Sequence, residues 1–278
     1  MEKKELKCIL SIGALLLVVG GIFDLQISHA VYNGESIYGK LFQAFAAFPA
    51  VLIASFCAMG IFVTNKKEKT IKSILSSVLS ALLTVFLVYT AATMPGWYLK
   101  EWKWIGIVLF VFLFAAEYKA ALYCKRKNEE EFRKAAKIGL LLIVISFVVY
   151  NSIKFIWGRE RYRHMIKIGS FAGFSRWFCP HPLASGSDFM SFPSGHSANA
   201  AVIIWITLIP RFIETFKGKE RVLKVFAYLW IILSMFSRIV IGAHFLSDVT
   251  VGASITLIIF YFLCKKIMPV LYWENNEF

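Results

Sequence analysis

The stretch AAKIGLLLIVISFVVYNSIKFIW, residues 135–157, decides the fold. It carries no charge between Lys137 and Lys154, and a helix needs ~20 mostly apolar residues to cross a bilayer. Runs of the same kind recur along the chain. The eight predicted spans are residues 6–23, 41–63, 71–94, 104–124, 135–157, 197–213, 222–241 and 245–264. The sequence therefore predicts an all-α protein, a polytopic bundle of transmembrane helices.

The composition agrees with a membrane protein. Of the 278 residues, 58% are hydrophobic and 17% are charged, and the mean hydropathy is +0.65. The spans leave little chain for a soluble domain, so residues 1–278 are predicted to form one integral-membrane domain. The first span follows Lys3, Lys4 and Lys7 as a signal peptide would, but no small-residue cleavage site comes after it. We therefore expect a mature helix there.

The formal net charge of +14 is explained by the way the chain is oriented in the membrane, and not by a nucleic-acid-binding surface. If the N-terminus is cytoplasmic, 21 of the 31 Lys and Arg residues fall on the inner side of the eight spans. Cytoplasmic loops of membrane proteins carry such an excess. This pattern predicts cytoplasmic N- and C-termini and contact with anionic membrane lipids, and it gives no reason to expect a nucleic-acid partner.

Three short blocks contain residues suited to phosphoryl transfer. Lys154 precedes Arg161 by seven residues, and His196 ends the sequence Pro-Ser-Gly-His at 193–196. The third block places His244 six residues after Arg238 and four residues before Asp248. On a helix this last spacing puts both side chains on one face, where a carboxylate can hold one imidazole nitrogen and leave the other to attack. An arginine supplies a planar cationic fork for phosphate oxygens.

The predicted topology brings these blocks to one side of the membrane. With the N-terminus inside, the fifth span ends outside at Lys154 and the sixth enters from outside just after His196. The seventh span ends outside at Arg238, and the eighth begins outside at His244. All three blocks are thus predicted to lie on the outer face, although their choice as motifs did not require them to share one side of the membrane.

The blocks K-x6-R, P-S-G-H and S-R-x5-H-x3-D resemble the signature of the type 2 phosphatidic acid phosphatase superfamily, the lipid phosphate phosphatases. The resemblance implies a catalytic core in the last four spans, residues 135–268. The family usually has six spans, so residues 1–134 are expected to include an extra pair, placed at about 71–124. One position departs from the pattern, because Tyr162 stands where the family usually has proline after the arginine.

The resemblance also implies a role for each residue of the blocks. His244 would be the nucleophile that forms a phosphohistidine, Asp248 would orient it, and His196 would act as general acid and base. The residues expected to bind phosphate are Lys154, Arg161, Ser194, Gly195 and Arg238. Neither a metal nor another cofactor is expected, since the family works without metal and the surrounding cations would repel one.

The implied function is hydrolysis of lipid phosphate monoesters or diphosphates at the outer face of a bacterial cell membrane. Undecaprenyl diphosphate and a glycerophospholipid phosphate are the expected substrates. A lipid phosphotransferase would use the same site. A membrane transporter is a more distant alternative, whose usual mark is ionisable residues in mid-span. The sequence does not indicate an oligomeric state.

Residues 162–196 are the longest predicted segment between spans. This segment mixes glycine, proline and aromatic residues, which is typical of a loop that lies at the membrane interface and forms a wall of a lipid site. His164 and His181 lie in this loop. They are either assistants in catalysis or plain interfacial histidines.

Overall fold

The computed structural model describes residues 3–65, 70–97, 103–181 and 186–269. These residues form nine α-helices and several short 3-10 helices, and the described ranges contain no β-strand. The prediction of an all-α protein is therefore confirmed. The helices are α1 Lys3–Val31, α2 Ile37–Phe45, α3 Phe48–Thr64, α4 Ile71–Thr93, α5 Lys103–Trp157, α6 Tyr162–Ile168, α7 Gly195–Ala201, α8 Glu220–Val240 and α9 Leu246–Ile267.

The described residues divide into two compact units. The first is drawn from Met1–Ala46, Val144–Ala201 and Tyr228–Phe278, and it contains all three sequence blocks. In it, α9 packs against both α1 and α7. A Cβ atom at Gly252 would lie 2.2 Å from Ser194 O, so α7 and α9 approach as closely as a glycine allows.

The second unit comprises Ala47–Ile143 and Val202–Ala227. Here α3 packs against α4, and the 3-10 helix Val202–Arg211 packs against α3. Trp205 Nε1 donates to Ala135 O at 2.7 Å. The buried Glu117 carboxylate accepts a hydrogen bond of 2.6 Å from Ser55 Oγ. The predicted extra pair of spans, at about 71–124, falls within this unit, and its status as an addition to the family core stays a prediction.

Six helical segments in the described chain are long and apolar enough to cross a membrane, as judged by length and composition. One of them, Ile105–Ile168, has 64 residues and contains two of the eight predicted spans. The predicted span 197–213 instead consists of the end of α7 followed by the 3-10 helix Val202–Arg211. The structure does not test whether these two regions contain the membrane crossings predicted for them, so the total of eight spans stays a prediction.

A polar break separates the two spans within α5. Asn128 has φ −157° and ψ 92°, which is outside helical geometry. Its side-chain oxygen accepts a hydrogen bond of 3.1 Å from the amide of Glu131, as an N-cap residue does at the start of a helix. The chain thus ends one helix and begins another in the charged sequence between the predicted spans 104–124 and 135–157.

Helix α1 continues for eight residues after residue 23, where the predicted first span ends. Asp24 follows that span directly in sequence. In the structure Asp24 is 1% exposed and Ser28 is 0% exposed, so α1 continues and turns both polar side chains inward. A carboxylate is retained inside a helix bundle when another charge or donor meets it.

Candidate active site

The turn after α5 positions the first block. Gly158 has φ 62°, the left-handed conformation that commonly ends a helix, so the chain leaves α5 directly after Trp157. The Lys154 ammonium donates to Met190 O at 3.0 Å, and a guanidinium nitrogen of Arg161 lies 3.5 Å from the same oxygen. Two cations of the first block therefore face one short segment that leads into the second block.

Arg161 has an unused donor. Its Nε atom is buried and has no hydrogen-bond partner among the described residues. A buried guanidinium N–H without a partner is unfavourable by roughly 1–3 kcal/mol or more, so it marks a place where an anionic ligand would be bound. The position predicted for phosphate binding thus has an open hydrogen-bonding site.

Ser194 begins the helix that carries the second block. Its hydroxyl oxygen accepts from the amide and the hydroxyl of Ser197, at 3.3 and 3.0 Å, which caps α7. Its own amide donates to Asp248 O at 2.9 Å, so Ser194 joins α7 to α9. The hydroxyl and the amide of Ser194 therefore both take part in hydrogen bonds that hold α7 in place. The phosphate-binding role expected of Ser194, and that of Gly195 next to it, stay predictions.

Arg238 is held at the end of α8. It is 1% exposed, and its guanidinium donates to Gly39 O at 2.8 Å and to Ser237 Oγ at 3.2 Å. The chain then turns through Gly242, whose φ is 61°, and the amide of His244 donates back to Arg238 O at 3.2 Å. Arg238 and His244 are therefore close neighbours across one tight turn.

His244 has a defined tautomer. Its Nδ1 lies 2.6 Å from Ser191 O, and because a carbonyl oxygen only accepts, Nδ1 must carry the proton. Nε2 then keeps the lone pair that a nucleophile needs. The Asp248 carboxylate lies 3.8 Å from Nδ1, which is an ion-pair distance and too long for a hydrogen bond. The main-chain carbonyl of Ser191 thus orients the His244 ring directly, and the Asp248 carboxylate is a more distant charge partner.

Burial lowers the pKa of His244 well below its usual value. The Asp248 carboxylate opposes this shift, whereas the positive charges of Lys154 and Arg161 add to it. His244, which is 2% exposed, is therefore held in its neutral, nucleophilic form at pH 7.

His196 lies in the same positive field. Burial, followed by the charges of Arg238, Arg161 and Lys154, lowers the pKa of His196 to about 3. Lys154 and Arg161 thus act on both histidines, so the structure brings the charged residues of the three blocks into one site. A bound phosphate dianion would offset these cations and raise the pKa of His196, which would make it able to carry a proton.

Three residues at this site were missed by the sequence reasoning. Ser191 donates its hydroxyl to Asp248 Oδ2 at 2.5 Å, in addition to its carbonyl contact with His244. Arg159 is 0% exposed and pairs with Asp248 Oδ1 at 2.5 Å and with Asp24 Oδ2 at 2.9 Å. A lone carboxylate at the end of an apolar run was the signal that could have drawn attention to Asp24.

Tyr162, the residue in place of the usual proline, is built into the packing. Its side chain is 1% exposed, and its hydroxyl lies 2.7 Å from His29 Nδ1 on α1. The ring makes edge contacts with Tyr32 and Phe245, at centroid distances of 5.2 and 6.2 Å. The tyrosine therefore fixes the start of α6 against α1 by contacts that a proline side chain does not make.

The two histidines of the loop have local partners. His164 Nδ1 lies 2.6 Å from the carboxylate of Glu160, four residues earlier in the sequence. His181 is exposed, and its ring lies 3.2 Å from Cys179 O. The same loop contacts α1 through Trp177, whose indole N–H donates to Leu17 O at 3.0 Å. This loop packs against the first unit's helices, as a wall for the site would. Residues 182–185 of the predicted loop lie outside the described part of the chain.

In the described ranges, no three His, Cys, Asp or Glu side chains lie together as metal ligands would.

Comparison with known proteins supports the family resemblance. The family model described as "PAP2 superfamily" matches residues 135–270, which include all three blocks. A curated relative, phosphatidylglycerophosphatase B of Bacillus subtilis (strain 168), is 33% identical over 82 residues. That alignment covers 29% of this chain and 40% of the relative, so the match spans less than half of either protein. No solved structure matches the chain.

Proposed function

The chain belongs to the PAP2 superfamily, and from this premise we propose that it hydrolyses lipid phosphate monoesters or diphosphates through a phosphohistidine intermediate. The observation that carries the proposal is the state of His244. It is neutral, its Nδ1 proton is fixed by Ser191 O, and its Nε2 lone pair lies within the field of Lys154 and Arg161.

The cations provide the phosphate site. Phosphoryl transfer spreads negative charge over three equatorial oxygens, which fixed donors stabilise best. Arg161, with its unpartnered Nε among the described residues, and Lys154 come from the end of α5 and the turn after it. Arg238 comes from the end of α8. Because these groups are already held in place, they need little reorganisation when charge develops.

In the first step, His244 Nε2 attacks phosphorus and the bond from phosphorus to the lipid oxygen breaks. His196 gives its proton to that oxygen, and the lipid leaves as an alcohol, or as a monophosphate when the substrate is a diphosphate. The phosphohistidine ring then bears a positive charge, since Nδ1 keeps its proton. The Asp248 carboxylate, 3.8 Å from Nδ1, stabilises this charge.

In the second step, water attacks phosphorus and the bond between phosphorus and Nε2 breaks. His196, now neutral, takes the proton from the water, so each histidine returns to its starting state. Inorganic phosphate is the product. If an alcohol group of another lipid or a sugar replaced the water, the same residues would carry out phosphotransfer.

The substrate is proposed to be a lipid because the site is built on apolar helices of membrane-spanning length. A glycerophospholipid phosphate is favoured by the Bacillus subtilis relative, which is itself a phosphatidylglycerophosphatase. A polyprenyl diphosphate such as undecaprenyl diphosphate offers the same phosphate chemistry on an isoprenoid chain.

Phosphate release by the purified protein tests this function. We expect release from phosphatidylglycerol phosphate, phosphatidate or undecaprenyl diphosphate in detergent micelles, with equal rates with and without EDTA. Addition of an alcohol acceptor should leave the yield of inorganic phosphate unchanged. Phosphorylated acceptor in place of phosphate would indicate a phosphotransferase, and loss of activity in EDTA that a divalent metal restored would contradict the metal-free mechanism.

We further propose that the site faces the outside of the cell. In the first unit, Asp24 and Arg238 lie near the C-terminal ends of α1 and α8, and His244 directly precedes α9. The basic residues Lys3 and Lys4 lie at the opposite end of α1, which favours a cytoplasmic N-terminus. The predicted cytoplasmic tail comprises residues 265–278, of which 270–278 lie outside the described part of the chain.

Thiol labelling on intact cells tests the orientation. In a cysteine-free background, we expect Ser187→Cys to react with an impermeant reagent and Lys4→Cys to be protected until the cells are opened. Both positions are exposed in the structure. Protection of Ser187→Cys with labelling of Lys4→Cys would move the site to the cytoplasmic face.

A further inference from the structure

We infer that Asp24 of α1 is a positioning residue for the catalytic pair His244 and Asp248, and that it acts through Arg159 and Ser247. The inference rests on the proposed function. It adds a requirement that the three sequence blocks do not contain, because the family model begins at residue 135 and Asp24 lies in the first helix of the chain.

Arg159 is the link between the two carboxylates. One guanidinium nitrogen donates to Asp248 Oδ1 at 2.5 Å and to Ser247 Oγ at 2.8 Å. The other donates to Asp24 Oδ2 at 2.9 Å, and Nε donates to Ser175 O at 3.0 Å. The guanidinium also lies 4.2 Å from the ring centroid of Phe245. These contacts fix the guanidinium on several sides at once.

Asp24 also holds the first turn of α9 directly. Its Oδ1 accepts from the amide of Ser247 at 3.1 Å, and its Oδ2 accepts from the Ser247 hydroxyl. Ser247 directly precedes Asp248 in sequence. Since the main chain cannot move at Ser247 without moving Asp248, the Asp24 carboxylate fixes both the charge partner and the backbone of the catalytic aspartate.

The charges of Asp24, Arg159 and Asp248 depend on one another. The side chains of Asp24, Arg159 and Asp248 are all fully buried, and two carboxylates share one guanidinium. Without the charge of Asp24, the whole guanidinium charge would be opposed by Asp248 alone. Asp248 would then be drawn toward Arg159 and would stabilise the positively charged phosphohistidine less well. Asp24 thus keeps part of the Asp248 charge available to His244.

The packing around Asp24 leaves little room for adjustment. A Cβ atom at Gly20, one turn earlier on α1, would lie 2.9 Å from Asp24 Oδ1 and 3.0 Å from Ser247 Cβ. A glycine is therefore needed where α1 approaches the start of α9. This close contact allows a carboxylate as short as aspartate to reach both Arg159 and the Ser247 amide.

The test is Asp24→Asn in the full-length protein, with phosphate release from the lipid on which the wild type is most active. We expect kcat to fall by ~10- to 100-fold, the range that misplacement of a catalytic group by about 1 Å can cause. KM should change less than about threefold, because Asp24 contacts no substrate-binding residue and a positioning defect lowers kcat. The matched control is Ser28→Ala. Ser28 lies one turn further along α1, is 0% exposed, and has an Oγ without a partner in the described chain, so its variant should keep wild-type kcat.

A double-mutant cycle guards against a variant that is merely unstable. Asparagine keeps an oxygen that can accept from the Ser247 amide, so Asp24→Asn removes chiefly the charge that acts on Arg159. Asp24→Asn combined with Arg159→Gln should therefore be no slower than Arg159→Gln alone, measured per folded protein after a thermal unfolding scan. Losses that multiply, a kcat of Asp24→Asn equal to that of the wild type, or a raised KM at unchanged kcat would each overturn the inference. A wild-type protein that released no phosphate from any lipid would instead contradict the proposed function.

Discussion

His244→Ala is expected to reduce phosphate release by at least ~10⁴-fold and to abolish the phosphoenzyme, because it removes the only group proposed to bond to phosphorus. The orientation of the ring by Ser191 O, at 2.6 Å, leaves Nε2 as the attacking atom. Lys154 and Arg161, whose charges act on His244, are proposed to bind phosphate oxygens and so would not replace it as the nucleophile. Acid-labile labelling of the protein by a lipid with radioactive phosphate, stopped by rapid quenching, measures the intermediate directly.

The control for this change must separate chemistry from folding. His244 is 2% exposed, so alanine leaves a small cavity and some loss of stability is expected. His244→Gln keeps more of the volume and should be equally inactive with an unfolding temperature closer to that of the wild type. His181→Ala removes an exposed imidazole from the neighbouring loop and should retain full activity. Near wild-type turnover in both His244 variants would contradict the covalent mechanism.

The sequence predicted the helices well because bilayer-length apolar runs are a strong local signal. The sequence did not reveal the role of the polar residue that follows the first apolar run. Asp24 comes directly after the predicted span 6–23, and in the structure it pairs with the buried Arg159 while α1 continues to Val31. The arginine is 135 residues away in sequence, so no local pattern could reveal the pair.

In the active site, too, local sequence patterns were readable and contacts between distant residues were not. The residues that touch the phosphate in the proposed mechanism lie in short motifs, and the resemblance of those motifs to the family signature predicted them. The residues that orient them do not follow a spacing. Ser191 acts on His244 through its main-chain carbonyl, which any residue possesses, so its side chain gave no indication of this role. Arg159 was visible as a second arginine beside Arg161, but only the structure shows its ion pairs with Asp24 and Asp248.

His196→Asn is expected to lower kcat by ~10²- to 10⁴-fold, the usual contribution of a general acid and base. Asparagine keeps a polar side chain of similar size but cannot transfer a proton. The loss should depend on the leaving group. For a natural lipid alcohol, whose oxygen needs the proton, the loss should be large, whereas for a p-nitrophenyl phosphate ester, whose phenolate leaves unaided, formation of the phosphohistidine should be much less affected.

The pH profile of kcat separates this role from a simple loss of phosphate affinity. In the free site, burial and the neighbouring Arg238 and Arg161 charges lower the pKa of His196 to about 3, and the substrate dianion raises it in the complex. His196 must be protonated to donate, so kcat of the wild type should fall as pH rises through its pKa in the complex. His196→Asn should lack this alkaline limb. If the variant kept the limb and lost activity equally with both leaving groups, His196 would be a phosphate ligand, and the proton would have to come from another group.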